Sequence, residues 1–271
     1  MTENRRNRKA YGLAAASLLA ALVFAGCAAG ADGAQTRQNP QGPFPDEAGA
    51  DKIVKEQPKS GIAGETAADT EVDFATLQAE NPDIYAWLYI PGTGIDAPLL
   101  QSPEADDYYE THNAWGEADE GGALYTELAN LKNMCDFNTV IHGKSQGEDG
   151  LFTDLFRFAD PDFFERHEDV YLYLDGNLLT YTVFAAYERE NTSLIRSYDF
   201  TYGAGCEQFL KDLYESRQMG KNLRKGWEEM TPYHFLITLT TESQGNPDRQ
   251  FVVVAALVGD AAGEIDRTVE W

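Results

Sequence analysis

Tyr233-His-Phe-Leu-Ile-Thr-Leu-Thr-Thr241 and Arg249-Gln-Phe-Val-Val-Val-Ala-Ala-Leu-Val258 flank the polar run Glu242-Ser-Gln-Gly-Asn-Pro-Asp248. Both flanks are dense in β-branched and aromatic residues, and the run between them carries turn formers, so the stretch predicts two neighbouring strands joined by a short polar loop. Upstream, Asp169-Val-Tyr-Leu-Tyr-Leu174 and the apolar run from Asn177 to Tyr187 meet at Asp175-Gly176, a dipeptide that favours a two-residue hairpin. Residues 150–158 and 161–167 are short helix candidates. A longer one spans 204–218, where Gly205-Cys-Glu-Gln-Phe-Leu-Lys-Asp-Leu-Tyr214 has the apolar spacing of an amphipathic helix.

Further pieces come in a recognisable order. Asn81-Pro-Asp-Ile-Tyr-Ala-Trp-Leu-Tyr-Ile90 runs through a turn at Pro91-Gly92 into a second strand ending Pro98-Leu-Leu-Gln101. Asp107-Tyr-Tyr-Glu-Thr-His112, Gly121-Gly-Ala-Leu-Tyr125, Asn138-Thr-Val-Ile-His-Gly-Lys144 and Leu151-Phe-Thr-Asp-Leu155 follow. With the Thr-Leu-Thr-Thr strand end and the Arg-x-Phe-Val-Val-Val start, this series resembles the class B sortases, cell-surface cysteine transpeptidases, from about Val72 to Val258. The resemblance implies a mainly β fold: a closed barrel of about eight strands, with short peripheral helices and a longer helix between strands 6 and 7.

The same resemblance marks three catalytic positions, and this chain departs at each. The residue after the Thr-Leu-Ser/Thr-Thr run is the nucleophilic cysteine in the family; here it is Glu242. The strand Asn-Thr-Val-Ile-Tyr-Gly-His ends in the catalytic histidine, whereas here Lys144 stands at that position and His142 at the tyrosine position. Moving His142 into the histidine slot needs a two-residue slip of about 6.6 Å along a strand, against the flanking Gly143 and the downstream Leu151-Phe152. The family arginine precedes the Phe-Val-Val run; Gln250 occupies that place and Arg249 lies one residue earlier. Adjacent strand residues face opposite ways, so Arg249 reaches the site only through a bulge.

A thiolate attacks an amide carbonyl and leaves a thioester that an amine can open. A carboxylate is a weak nucleophile whose acyl product is a water-sensitive anhydride, and a lysine ammonium is a poor general acid near neutral pH unless its surroundings depress its pKa. Removing one member of such a unit can lower turnover on the order of a millionfold. Cysteine transpeptidation is therefore expected to be absent. The opposite charges of Glu242 and Lys144 predict an ion pair across the former catalytic site.

The remaining cysteines sit elsewhere. Cys135 is in a loop before the Val140 strand, and Cys206 is in the long helix candidate. In an exported protein they are either a Cys135–Cys206 disulfide or two inert thiols. Export itself is expected: Arg5, Arg6, Arg8 and Lys9 precede the apolar run from Tyr11 to Phe24, which is short for a membrane span and ends in Phe24-Ala-Gly-Cys27. Small residues before a cysteine resemble a bacterial lipobox, which implies diacylation at Cys27. The expected organisation is a signal peptide over 1–26, a flexible tether over 27–70 rich in Ala, Gly, Gln, Glu and Pro, a barrel domain over 71–260 and a tail over 261–271. This places the barrel at the outer face of the cytoplasmic membrane, lipid-anchored.

The chain carries a formal charge of −24; residues 1–26 hold four basic side chains against Glu3, so the remainder bears −27. Such a surface excludes nucleic acid and bare anionic lipid as partners and attracts basic peptides or cations. The clusters Glu117-Ala-Asp-Glu120 and Glu148-Asp149 lack the spacing of a metal loop, and no zinc motif or phosphate loop is present, so neither metal nor cofactor is expected. His112, His167 and His234 are scattered and read as packing or surface residues. Three functions fit these residues. The first is a non-catalytic sortase-like surface protein whose groove binds a sorting-signal peptide or another surface protein. The second is a sortase-fold hydrolase or transpeptidase that uses Glu242 as base or acid, with Lys144, His142 or Arg249 as electrostatic partners. The third is a purely structural protein.

Overall fold

The structure, a computed structural model, describes residues 72–145, 150–216 and 220–265. The expected signal peptide, the Cys27 lipidation site and the whole of the tether lie outside the described residues.

The described chain opens with helix α1 (Phe74–Glu80), capped by the Asp73 carboxylate, which accepts from the Thr76 amide at 3.0 Å. Nine strands follow: β1 (Ile84–Tyr89), β2 (Asp96–Leu100), β3 (Leu124–Thr126), β4 (Asn138–His142), β5 (Asp169–Leu174), β6 (Asn177–Glu190), β7 (Asn222–Leu223), β8 (Leu236–Ser243) and β9 (Asn246–Asp260). They hydrogen-bond in the order β5-β1-β2-β3-β4-β8-β9-β6-β7, and β5 also pairs with β6. That last pairing closes eight strands into a barrel and leaves the two-residue β7 as an annex on β6. The predicted barrel of about eight strands is present. It is mixed, because β2–β3 and β4–β8 run parallel.

Both predicted hairpins form, β1–β2 across Pro91-Gly92 and β5–β6 across Asp175-Gly176. Between β8 and β9 the structure corrects the sequence reading. The predicted seven-residue loop is a tight turn at Gln244-Gly245, with Gly245 at φ +74, so Glu242 and Ser243 belong to β8 itself. Asn246-Pro-Asp248 had the look of a loop, yet Pro247 sits at the start of a strand, where its missing amide proton is tolerated.

Successive side chains of β4, β8 and β9 divide between two apolar layers. Ile141, Ile237, Leu239, Phe251 and Val253 join the larger core, which Phe152, Leu155 and Phe158 complete. Val140, Leu236, Val252 and Val254 face the other way, toward α4 (Gly203–Glu215), the long helix expected between strands 6 and 7. Cys206, Phe209, Leu210 and Leu213 recur on one side of α4 and are buried there; each of the three large side chains contributes roughly 1.5–3 kcal/mol on burial. The remaining helices are short: a 3-10 turn over Thr153–Ala159 where an α-helix was a candidate, then α2 (Pro161–Arg166) and α3 (Leu194–Ser197).

Cys135 and Cys206 are not joined to each other. Each sulfur lies 3.5 Å from a backbone carbonyl, that of Asn133 for Cys135 and that of Phe200 for Cys206.

Candidate active site

β4 presents His142 because of what lies behind Gly143. A Cβ at Gly143 would come within 2.5 Å of Leu124 Cδ2 and 2.7 Å of Phe152 Cδ2, so only glycine fits against this part of the core. The Gly143 amide donates to the Thr240 carbonyl at 3.2 Å, continuing the parallel register in which His142 lies beside Thr240. These constraints pin the strand. His142 is thus the last residue of β4, and Lys144 lies two residues beyond it.

β8 brings Thr240 and Glu242 to the same place, and β9 brings Gln250 directly opposite Glu242. Together with Ser145 these side chains line a cavity of about 290 Å³, backed by Tyr109, Glu110 and Tyr125. A second cavity of about 400 Å³, lined by Asp106, Asp107, Glu127 and Arg196, shares His142, Tyr125, Glu110, Asn191 and Gln250 with the first. The two form one groove. Glu242, Lys144, Gln250 and His142, separated by up to about a hundred residues in sequence, therefore meet around it. Arg249 lines neither cavity; it lies opposite Glu190 on the β6 side.

The predicted Glu242–Lys144 ion pair is absent. The Lys144 ammonium donates instead to the backbone carbonyl of Glu120 at 3.0 Å, and among the described residues no carboxylate lies within ion-pair distance of it. An exposed ion pair contributes only about 0–1 kcal/mol, so a well-placed carbonyl competes with it on equal terms. Gln250 is committed as well. Its amide nitrogen donates to the carbonyls of Glu190 at 3.0 Å and Thr192 at 2.8 Å, and its oxygen accepts the Thr240 hydroxyl at 2.6 Å. With 6% of its surface exposed, it is a buried clamp on the turn after β6.

Ser145 is the one hydroxyl among the groove residues named above that stands next to Glu242, but its proton goes to the Glu242 carbonyl at 3.3 Å. Among the described residues no base is aligned on it. The thiols lie outside the groove: Cys206 is in the layer under α4, and Cys135 lines a separate cavity with Tyr198 and Phe200.

One pair in the groove escaped the sequence. His142 stacks on Tyr125, ring centres 5.0 Å apart and planes 18° from parallel, and its Nε2 lies 3.2 Å from Glu127 Oε1. The contact has the distance of an ion pair without the alignment of a hydrogen bond. The His142 contact holds the Glu127 carboxyl below the usual carboxylate range, against partial burial that pushes it up, with smaller help from the charges of His142 and Arg196. Tyr125 in turn donates its hydroxyl to Glu110 Oε1 at 3.0 Å. The other histidines are structural: His112 stacks on Tyr108, His167 on Phe163, and His234 is buried beside Thr231.

The barrel order and the groove at the ends of β4 and β8 define a sortase-family fold of the class B kind. No family model matches the chain, but individual proteins do. Over 171 residues it is 30% identical to sortase B of Listeria monocytogenes, an alignment covering 62% of this chain and 66%, just under two thirds, of that protein. The crystal structure of a cysteine-to-serine mutant of Clostridium perfringens sortase B superposes with a TM-score of 0.61 at 27% identity, covering 68% of this chain and 85% of that one. A Staphylococcus aureus sortase B–substrate complex shares the fold at 23% identity, with a TM-score of 0.59 over 68% of this chain and 84% of the other.

Proposed function

We propose that the groove binds an extended peptide, of the sorting-signal kind or from another surface protein, and does not carry out cysteine transpeptidation. One observation carries this reading. The residues at the family's histidine and arginine positions are both spent on walls of the groove, Lys144 on the carbonyl of Glu120 and Gln250 on the carbonyls of Glu190 and Thr192. Side chains that served chemistry in the family here hold a binding cleft in shape. Glu242, at the nucleophile position, supplies no thiol. That a Staphylococcus aureus sortase B of the same fold was solved with its substrate is consistent with a binding groove in this fold.

On this reading the domain works at the outer membrane face, tethered through a lipid on Cys27, and its negative charge favours ligands with basic flanks. Mass spectrometry of the mature N-terminus reads the lipid directly. The function is tested by incubating the full-length chain with sorting-signal peptides and an amine acceptor, following binding and mass-resolved cleavage in the same samples. Binding without cleavage is expected. Cleavage that disappears in Glu242→Gln would overturn the proposal in favour of carboxylate chemistry in the same groove.

A further inference from the structure

The geometry points to His142 as the residue that reads hydrogen-bond donors on the groove's ligand, with Glu127 as the positioning residue that fixes its tautomer. This rests on the binding reading given above. The imidazole is common to both halves of the groove. Its two nitrogens stand in different surroundings: Nε2 is enclosed beside the Glu127 carboxylate, whereas among the described residues no protein group bonds Nδ1. A carboxylate next to one ring nitrogen favours the proton on that nitrogen. Neutral His142 therefore carries Nε2–H toward Glu127 and leaves Nδ1 as a bare acceptor.

An acceptor in a peptide groove matches an N–H donor, from a backbone amide, a side-chain amide or an amine. Flat stacking on Tyr125 fixes the ring plane, so the acceptor has a set direction.

Protonation reverses the reading. Imidazolium carries hydrogen on both nitrogens, so Nδ1 changes from acceptor to donor and repels the same ligand group. Charges face the ring from every side of the groove. Glu127 follows β3 and Glu110 reaches it through Tyr125; Lys144 lies two residues beyond the end of β4, Glu242 is next to last in β8, and Arg196 with Asp106 and Asp107 lines the far half. Carboxylates outnumber cations among them. Binding of a donor ligand is then strong while the ring is neutral and weakens once it is protonated.

Two measurements on the full-length chain test this. The first is nitrogen-15 NMR of the His142 ring in the absence of ligand, in the wild type and in Glu127→Gln. The expected result is a dominant Nε2–H tautomer that becomes mixed in the variant; a dominant Nδ1–H tautomer in the wild type would overturn the inference. The second is binding of a random twelve-residue peptide pool at about pH 7.5 and about pH 5.5, bracketing the imidazole range. Retention should fall about threefold or more at the lower pH in the wild type and be level in His142→Gln, which keeps an acceptor but cannot titrate. An equal pH ratio in wild type and His142→Gln sinks the inference while leaving peptide binding intact. Failure to bind the pool at either pH removes the binding reading and the ligand role of His142 with it, whatever the tautomer.

Discussion

The Lys144 ammonium lies 3.0 Å from the backbone carbonyl of Glu120, on the loop that precedes β3. It ties that loop to the end of β4 and leaves Glu242 without its expected partner. Lys144→Met should free the loop at little cost, within about 0.5 kcal/mol, as for most exposed substitutions. Hydrogen exchange over residues 111–122 is the sensitive measurement: faster exchange there with an unchanged denaturation midpoint is expected, and unchanged exchange would show the tether to be idle.

Gln250 is a different case because it is buried. Gln250→Leu strands the Thr240 hydroxyl and deprives the Glu190 and Thr192 carbonyls of a donor. Unmet buried groups cost about 1–3 kcal/mol each, and carbonyls that keep another partner cost less, so a loss of roughly 2–4 kcal/mol is expected in urea denaturation. Gln250→Arg, the change toward the family's residue, should fail to rescue stability, since the guanidinium cannot accept from Thr240.

Two glycines set close approaches and rank in a predictable order. At Gly143 an added methyl meets side chains, Leu124 Cδ2 at 2.5 Å and the near side of the Phe152 ring at 2.7 Å, so Gly143→Ala should cost about 1–3 kcal/mol as overpacking does. At Gly205 the methyl would lie 2.0 Å from the carbonyl oxygen of Asp199, which is backbone. Gly205→Ala should be the more damaging by thermal melting, and the reverse order would mean that α4 docks loosely.

Stability should fall in acid through two groups acting in the same direction. Glu127 is held below its ordinary range in the folded chain, so its contribution is complete above the unfolded carboxylate value and is lost as pH falls through the folded one. His234 is pushed down by burial, so the unfolded chain takes up that proton first as pH falls below the ordinary imidazole range. Glu127→Gln should flatten the decline below about pH 4.5 and leave the His234 part at higher pH untouched; denaturant midpoints across this range separate the two.

On the proposed reading, a cysteine at position 242 alone should not give turnover. Glu242→Cys places a thiol in the groove, but Lys144 remains tied to Glu120 and Gln250 to the turn after β6. Slow alkylation and no acyl adduct with sorting-signal peptides are expected by mass spectrometry. A thioester in this single variant would show that the groove keeps more of the family's chemistry than its hydrogen bonds suggest.

The barrel was legible because its strands carry their own signals. The Phe-Val-Val-Val run, the Asp175-Gly176 hairpin and the apolar spacing from Cys206 to Leu213 each point to one local structure, and tertiary packing agrees with all three. The meeting of Glu242, Lys144 and Gln250 was legible only through resemblance, since nothing local brings those segments together. The partners were not legible. Charge complementarity named Glu242 for Lys144, but a backbone carbonyl has no sequence signature, and that is what Lys144 binds. Glu127 was missed for a related reason: it sits by His142 because Tyr125 pairs with His142 across β3 and β4, a register that no single segment encodes. The turn at Gln244-Gly245 was hidden by Asn246-Pro247, whose composition suggests a longer loop than the chain makes.

The parallel contact between β4 and β8 has a consequence for how the molecule is made. The Thr238 hydroxyl reaches Asn138 across 100 positions of sequence, and the clamp from Gln250 to Glu190 spans 60. A chain emerging from its N-terminal end can complete the β1–β2 and β5–β6 hairpins early, but β4 keeps one open edge until β8 arrives. Pairings this distant slow folding, and an open strand edge is sticky while it waits. The groove is thus assembled late, and a chain that ends short of β8 would expose His142 on the bare edge of an unfinished barrel.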